Sequence, residues 1–214
     1  MEYLWLIFIL VGIVLAAVIV GIFIGNSGGN SGGNSGLSGG WLAALNERQI
    51  RSAGSSGEQA AVRVIRELLR EGDYLLTNLE ISYEGKPAEL DVVVVNTCGV
   101  FVIEIKNYNG ALVGTEDDYE WKKYHTTAAG NTYEKTVKNP IRQVNRQVYL
   151  LAYYLRWAGI DVWVSGFALL LQCNSPVESP SILNSRAEID RAIHTPGRKR
   201  LTRETVEKIV NILQ

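Results

Sequence analysis

"ELDVVVVNTCGVFVIEIKNY", Glu89 to Tyr108, is the stretch on which the fold turns. Two β-branched and aromatic runs flank Asn96-Thr97-Cys98-Gly99, which predicts two strands joined by a tight turn. Asp91, Glu104 and Lys106 nevertheless sit inside the apolar runs. With Asn96–Gly99 as the loop, Val95 faces Val100, Asp91 falls opposite Glu104, and Glu89 falls opposite Lys106. Directly opposed residues have Cβ atoms ~5 Å apart. Alternation with period two puts Lys106 on the same face as Glu104.

Two facing carboxylates repel one another and are costly to bury. A divalent cation removes the conflict. Mg²⁺ takes oxygen ligands, commonly one or two carboxylates completed by water and phosphate. A lysine beside it can neutralise phosphate charge or orient an attacking water. That layout suits metal-assisted phosphodiester hydrolysis. The alternative is plain structure: Lys106 pairs with Glu89 across the strands, Asp91 caps a strand end, and Glu104 points to water. Spacing alone leaves both open.

Upstream, "GSSGEQAAVRVIRELLREG" predicts a helix with Ala61, Val62, Ile65, Leu68 and Leu69 on its apolar stripe and Gly72 marking its stop. Glu58 extends the buried face of that helix. It can equally close a capping box with Ser55 as N-cap. "YLLTNLEIS" then reads as a strand.

Downstream, "ALVGT" continues as strand, and "YEWKKYHTTAAGNTYEKTV" reads as a second hairpin around Ala129-Gly130-Asn131. "NPIRQVNRQVYLLAYYLRWAG" predicts a helix with Asn139 as N-cap, Pro140 at its first position and Gly159 at its end. Val144, Val148, Leu151 and Leu155 form its core stripe, and Gln143 and Gln147 share one face beside that stripe. Val162–Gln172 reads as a buried strand, and "TRETVEKIVNILQ" as a closing amphipathic helix. Helices flanking a central mixed sheet make the class α/β or α+β.

The order of these pieces carries a resemblance. A helix with a glutamate, then Asp91, then Glu104-Ile105-Lys106 on the next strand resembles the PD-(D/E)xK nuclease superfamily. More narrowly, "GSSGE", "ELDVVVV", "GVFVIEIKNY" and "NPIRQVNRQVYLL" look like the NERD (nuclease-related) domain, over about residues 54–159. The resemblance implies a restriction-endonuclease-like α/β fold and a nuclease using Mg²⁺ or Mn²⁺. It implies metal-binding roles for Asp91 and Glu104. Lys106 matches the catalytic lysine, Glu58 the first-helix glutamate assisting the metal or its water, and Gln143 the glutamine of the Asn-Pro-x-x-Gln helix. Leu90-Asp91 stands where the superfamily usually has Pro-Asp.

Gln147 can orient substrate or merely flank the core. Arg142 and Arg146, with Lys138 before them, form a row that can contact phosphates or stay solvated. Gly197–Arg200, "GRKR", reads as a surface loop. Trp121 is read as core, with a stacked base as the alternative. His125 and His194 have no partner spacing and read as structural or exposed. Cys98 and Cys173 show neither metal spacing nor a disulfide framework and read as small buried thiols in a reducing compartment.

The amino terminus is different in kind. Residues 1–40 carry one charge, Glu2, whereas all 21 Lys and Arg lie beyond residue 40. Tyr3–Ile24 has no charge at all, and as a helix would be ~33 Å long, enough for a ~30 Å hydrocarbon core. Residues 3–25 are therefore expected to form a transmembrane helix. The n-region lacks Lys and Arg, and the apolar run is long for a cleaved signal peptide. The Gly/Ser/Asn repeat of 26–40 reads as a flexible linker with a typical reach of ~20 Å. Residues 41–214 form the globular part, opening with a short helix over Trp41–Ser52. Arg48 and Arg51 favour a cytoplasmic location for it, on a single-pass anchor in the lipid bilayer.

Residues 41–214 balance their charges, with 21 basic and 21 acidic side chains once Glu2 is set aside. That argues against coating nucleic acid nonspecifically. Two functions follow. One is a membrane-anchored, metal-dependent nuclease acting on nucleic acid, with DNA the expected substrate. The other is a catalytically inactive nuclease-fold module that binds a partner or nucleic acid near the membrane.

Overall fold

The Glu89–Tyr108 stretch forms the centre of a five-stranded mixed sheet in the computed structural model, which describes residues 53–127 and 129–214. The expected membrane span, the linker and the Trp41–Ser52 helix lie outside the described residues. Among the described residues, no helix is long and apolar enough to cross a membrane.

In chain order the elements are α1 (Ala53–Leu68), β1 (Tyr74–Tyr83), β2 (Lys86–Asn96), β3 (Gly99–Lys106), β4 (Ala111–Val113), β5 (Glu120–Thr126) and β6 (Thr132–Lys138). There follow α2 (Pro140–Trp157), β7 (Val164–Leu170), β8 (Ile182–Leu183), α3 (Arg186–His194) and α4 (Arg203–Leu213). The main sheet runs β1-β2-β3-β7-β8, and β4-β5-β6 form a separate antiparallel sheet. β1, β2 and β3 are mutually antiparallel, while β7 runs parallel to β3 and β8 parallel to β7. The expected mixed sheet flanked by helices is the architecture found.

Two apolar layers cover the main sheet. Val144, Leu151 and Leu155 of α2 and Val206, Ile209 and Val210 of α4 pack on one face. Ala61 and Ile65 of α1 and Ile189 and Ile193 of α3 pack on the other. β3 is buried on both faces except at Lys106. Its continuous apolar reading follows from that double cover.

The β2–β3 register is as expected through Val92, which pairs with Ile103. At Asp91 the strand changes face. Ala88 and Leu90 share the α2 layer with Val93 and Val95, whereas Val92 and Val94 join the α1 layer. The side facing α2 thus passes from even to odd positions at Asp91. β1 follows suit: the ladder pairs Thr77 with Val92 and Leu79 with Leu90, passing over Asn78 and Asp91. Asn78 has φ +52°, a left-handed conformation that asparagine tolerates better than most residues.

Several expectations are corrected by this geometry. The helix begins at Ala53, so Ser55 lies inside it and is not its N-cap. Cys173 is exposed, because it sits in the turn after β7 rather than within the strand, while Cys98 is buried as expected. β7 spans Val164–Leu170, shorter than the Val162–Gln172 run. β8 and α3 are elements that the periodicity did not indicate.

Trp121 is fully buried, and its Nε1 donates to the Thr115 carbonyl at 2.7 Å, so it is core. His194 is structural and far from isolated. Its Nδ1 meets Asp190 Oδ1 at 2.7 Å and its Nε2 meets Asp73 Oδ2 at 2.9 Å, tying α3 to the loop before β1.

Candidate active site

Glu104 is the buried centre of the site, with 1% of its surface exposed. It lies on β3 and faces α2. Two glutamines one helical turn apart close on it. Gln143 Nε2 donates to Glu104 Oε1, and Gln147 Nε2 to Glu104 Oε2, each at 2.5 Å. Gln147 Nε2 also donates to the Glu89 carbonyl at 2.9 Å. Charge-assisted bonds of this kind are stronger than neutral ones, which is how a buried carboxylate is tolerated. The Lys106 ammonium pairs with Glu104 Oε1.

α2 reaches Glu104 because β7 is thin there. Gly166 pairs with Val102 and Ala168 with Glu104. A Cβ at Gly166 would clash with the Val148 methyl and lie 2.9 Å from that of Val144, so the helix rests directly on the strand backbone. The start of α2 is fixed by Asn139, whose Oδ1 accepts from the Ile141 N–H at 2.9 Å. Its Nδ2 donates to the carbonyls of Thr115, Glu116 and Asp118. The Asn-Pro-x-x-Gln run thus caps the helix, clamps the preceding loop and delivers Gln143.

Asp91 sits where β2 changes face. The ladder passes it over, and its Oδ2 instead accepts from the Ile105 N–H at 2.8 Å. The same change of face turns Glu89 away from Lys106, so the cross-strand ion pair left open as the structural alternative does not form. Lys106 finds Glu104 instead.

Glu58 stands near the start of α1, half-buried. The helix comes in close because Gly57 has no side chain: a Cβ there would lie 3.0 Å from Asn107 Nδ2 and 3.1 Å from Leu171 Cδ1.

The electrostatics join these groups. Burial, then the Glu104 carboxylate, pushes the Asp91 carboxyl above its ordinary range, against the Ile105 N–H and Lys106. Burial, then Asp91 and Glu89, does the same to Glu58, with Lys106 opposing. For Lys106, burial alone would favour the neutral amine. The Glu104 carboxylate outweighs it and holds the ammonium above its usual range.

Arg142 and Arg146 are exposed on α2. Arg142 donates to the Asp117 carbonyl at 3.2 Å and lies over the Tyr119 ring, and Arg146 donates to the Pro87 carbonyl at 3.0 Å. They brace loops on the rim beside the glutamine face.

Of the expected residues, Glu58, Asp91, Glu104, Lys106, Gln143 and Gln147 are brought together, and Arg142 and Arg146 flank them. Gln147, read from the sequence as a substrate-binding group, makes a buried hydrogen bond to Glu104. The sequence reading assigns no role to Gly166. The available signal is three small residues, Ser165, Gly166 and Ala168, in one short strand.

Among the described residues, no three His, Cys, Asp or Glu side chains converge as a ready-made metal-ligand set. Asp91 and Glu104 nonetheless fit a hard cation. Both supply oxygen, Asp91 is raised by burial and then by the Glu104 charge, and among the described residues the buried Gln147 Oε1 has no hydrogen-bond partner.

The sequence model for the nuclease-related domain matches residues 53–171, which takes in every residue of this cluster and extends through β7. An uncharacterized protein of Bacillus anthracis is 35% identical over 69 residues, a match covering 32% of each chain. The match thus spans about a third of that relative's length. No solved structure matches.

Proposed function

The chain belongs to the nuclease-related domain family, and from that premise we propose a membrane-anchored, divalent-metal-dependent nuclease that hydrolyses phosphodiester bonds in nucleic acid, with DNA as substrate. The observation that carries the reading is the joining of Asp91, Glu104 and Lys106 at one end of β3, with Glu58 coupled to Asp91 from α1.

Asp91 and Glu104 would hold Mg²⁺ or Mn²⁺. Such an ion supplies Lewis-acid polarisation of the phosphate and lowers the pKa of a bound water. Lys106 stays protonated, so it acts as a donor: it steadies charge on the phosphoryl oxygens or orients water, and is no general base. Glu58, raised and partly solvated, is suited to accept a proton from the attacking water, since a base works best with a pKa close to the working pH. Gln143 and Gln147 hold Glu104 in one rotamer. Arg142 and Arg146 lie on the rim where a phosphate backbone would pass. The anchor reading rests on the uncharged Tyr3–Ile24 run, with the globular part cytoplasmic.

A second reading, a noncatalytic module binding a partner, is favoured by one observation. Lys106 and the two glutamines already satisfy both Glu104 oxygens without a cation. Incubating the protein with labelled DNA and RNA, with Mg²⁺ or Mn²⁺ and then with EDTA, separates the two. Cleavage that EDTA stops, and that Lys106→Ala lowers by about a hundredfold or more, supports the nuclease. A Lys106→Ala protein that folds and cleaves as well as the wild type overturns the site.

A further inference from the structure

At the other end of the sheet, Trp163 immediately precedes β7, whereas Lys106 pairs with Leu170 at the far end of that strand. Seven strand residues separate the two ends by ~20 Å. Around Trp163 lies a cavity of about 320 Å³ whose lining includes Arg156, Asp161, Arg198 and Lys199. Among the described residues of that lining, Asp161 is the one acidic side chain, and Arg156 takes it at 2.9 Å. Arg198 lies over the Trp163 ring at 4.5 Å, and Arg198, Lys199 and Arg200 are all exposed. The patch therefore carries an uncompensated positive charge against an aromatic wall.

Its aromatic wall is unusually bare, with Trp163 52% exposed. Apolar rings with a polar edge, set among cations, suit the interface of an anionic bilayer, where the indole enters the headgroup region and Lys and Arg meet lipid phosphate. The loop bearing the cations is firmly held: the Gly197 N–H donates to the Cys98 carbonyl at 3.0 Å and the Leu201 N–H to the Thr97 carbonyl at 2.9 Å. The cations are thus presented on the turn of the central hairpin by a fixed loop.

We propose that this patch docks the domain on an anionic phospholipid surface, with a lipid phosphate seated between Arg198 and Lys199 and with Trp163 in the interface. The proposal rests on the membrane-anchor reading, because an anchored chain keeps the patch at high local concentration over the bilayer. Docking by this end leaves the Glu104–Lys106 end turned away from the lipid and open to substrate.

The test uses the full chain in a Trp5→Phe/Trp41→Phe background, reconstituted in vesicles of phosphatidylcholine alone or with phosphatidylglycerol, both carrying brominated acyl chains. Resistance to carbonate extraction reports the anchor by itself. Quenching of the remaining tryptophans reports docking. Trp121, being buried, contributes an unchanging background.

Anionic vesicles are expected to quench emission and neutral vesicles to leave it unchanged. High salt and an Arg198→Glu/Lys199→Glu/Arg200→Glu variant are expected to abolish the difference. Each cation near an anionic surface changes partitioning roughly fivefold, so three reversals weaken docking by about a hundredfold or more. Far-ultraviolet dichroism checks that the variant folds, and Lys199→Glu alone, on an exposed loop, gives a milder second variant expected to weaken docking measurably. If the anchor fails extraction, salt-sensitive sedimentation with anionic vesicles still reads the patch. Equal quenching on both vesicles, or quenching by single-stranded DNA in place of lipid, overturns the proposal.

Discussion

Glu104 depends on its donors. Gln147 supplies a charge-assisted bond to its carboxylate and a second bond to the Glu89 carbonyl from one nitrogen. Gln147→Leu removes both and leaves two buried acceptors short. A loss of about 2 kcal/mol is expected, measured by urea unfolding. Asp91 offers a pH signature. Its folded pKa lies above the 3.8 of an unperturbed aspartate, so ionising it opposes folding. That penalty is absent below about pH 3.8, grows as pH rises towards the folded value, and is constant above it. Asp91→Asn is therefore expected to gain stability relative to wild type as pH rises through that window. Over the same window, Mn²⁺ affinity of the wild type should rise with pH, because binding displaces the proton. Paired melts of the two proteins and calorimetric titration of Mn²⁺ check both; a stability difference flat with pH would contradict the shift.

At the scale of elements, the site depends on how closely α2 approaches β3. Two residues control that. Asn139→Ala removes the helix cap and the amide that donates to three carbonyls of the Thr115–Asp118 loop, and is expected to destabilise by about 1–2 kcal/mol or more. Asn139→Asp keeps the cap acceptor but sets a buried carboxylate oxygen against those three carbonyls, so it should lose at least as much in the same melts. Gly166→Val forces two γ-methyls into the seat of Val144 and Val148, which is expected to cost about 1–3 kcal/mol and to withdraw both glutamines from Glu104. α2 was fully legible beforehand, since Asn139, Pro140 and the Val144–Leu155 stripe are local signals. β8 and α3 were not: a strand of two residues and a helix of nine offer too little periodicity, and both exist because the sheet edge and the α1 layer supply partners. The change of face at Asp91 was equally invisible, because alternation is assumed rather than observed when a register is drawn on paper.

For the whole molecule, the expectation is one chain with two physical regimes. On the proposed anchored-nuclease reading, removing residues 1–40 is expected to move the protein from the carbonate-resistant membrane fraction to the soluble fraction and to leave the proposed cleavage of short DNA unaltered. Retention of the shortened chain in that fraction would count against the anchor. Sequence alone determined the central hairpin, the capped α2 helix, the uncharged Tyr3–Ile24 run and the candidate identities of Asp91, Glu104 and Lys106, since these follow from hydrophobic period, turn chemistry and residue type over short spans. Only the tertiary structure decided which charges meet. It reversed β2 at Asp91, sent Lys106 to Glu104 rather than Glu89, and lowered α2 onto Gly166 so that two glutamines reach one carboxylate. Those outcomes depend on close packing between segments far apart in the chain, where a missing Cβ or a single positive φ sets distances that no local pattern encodes.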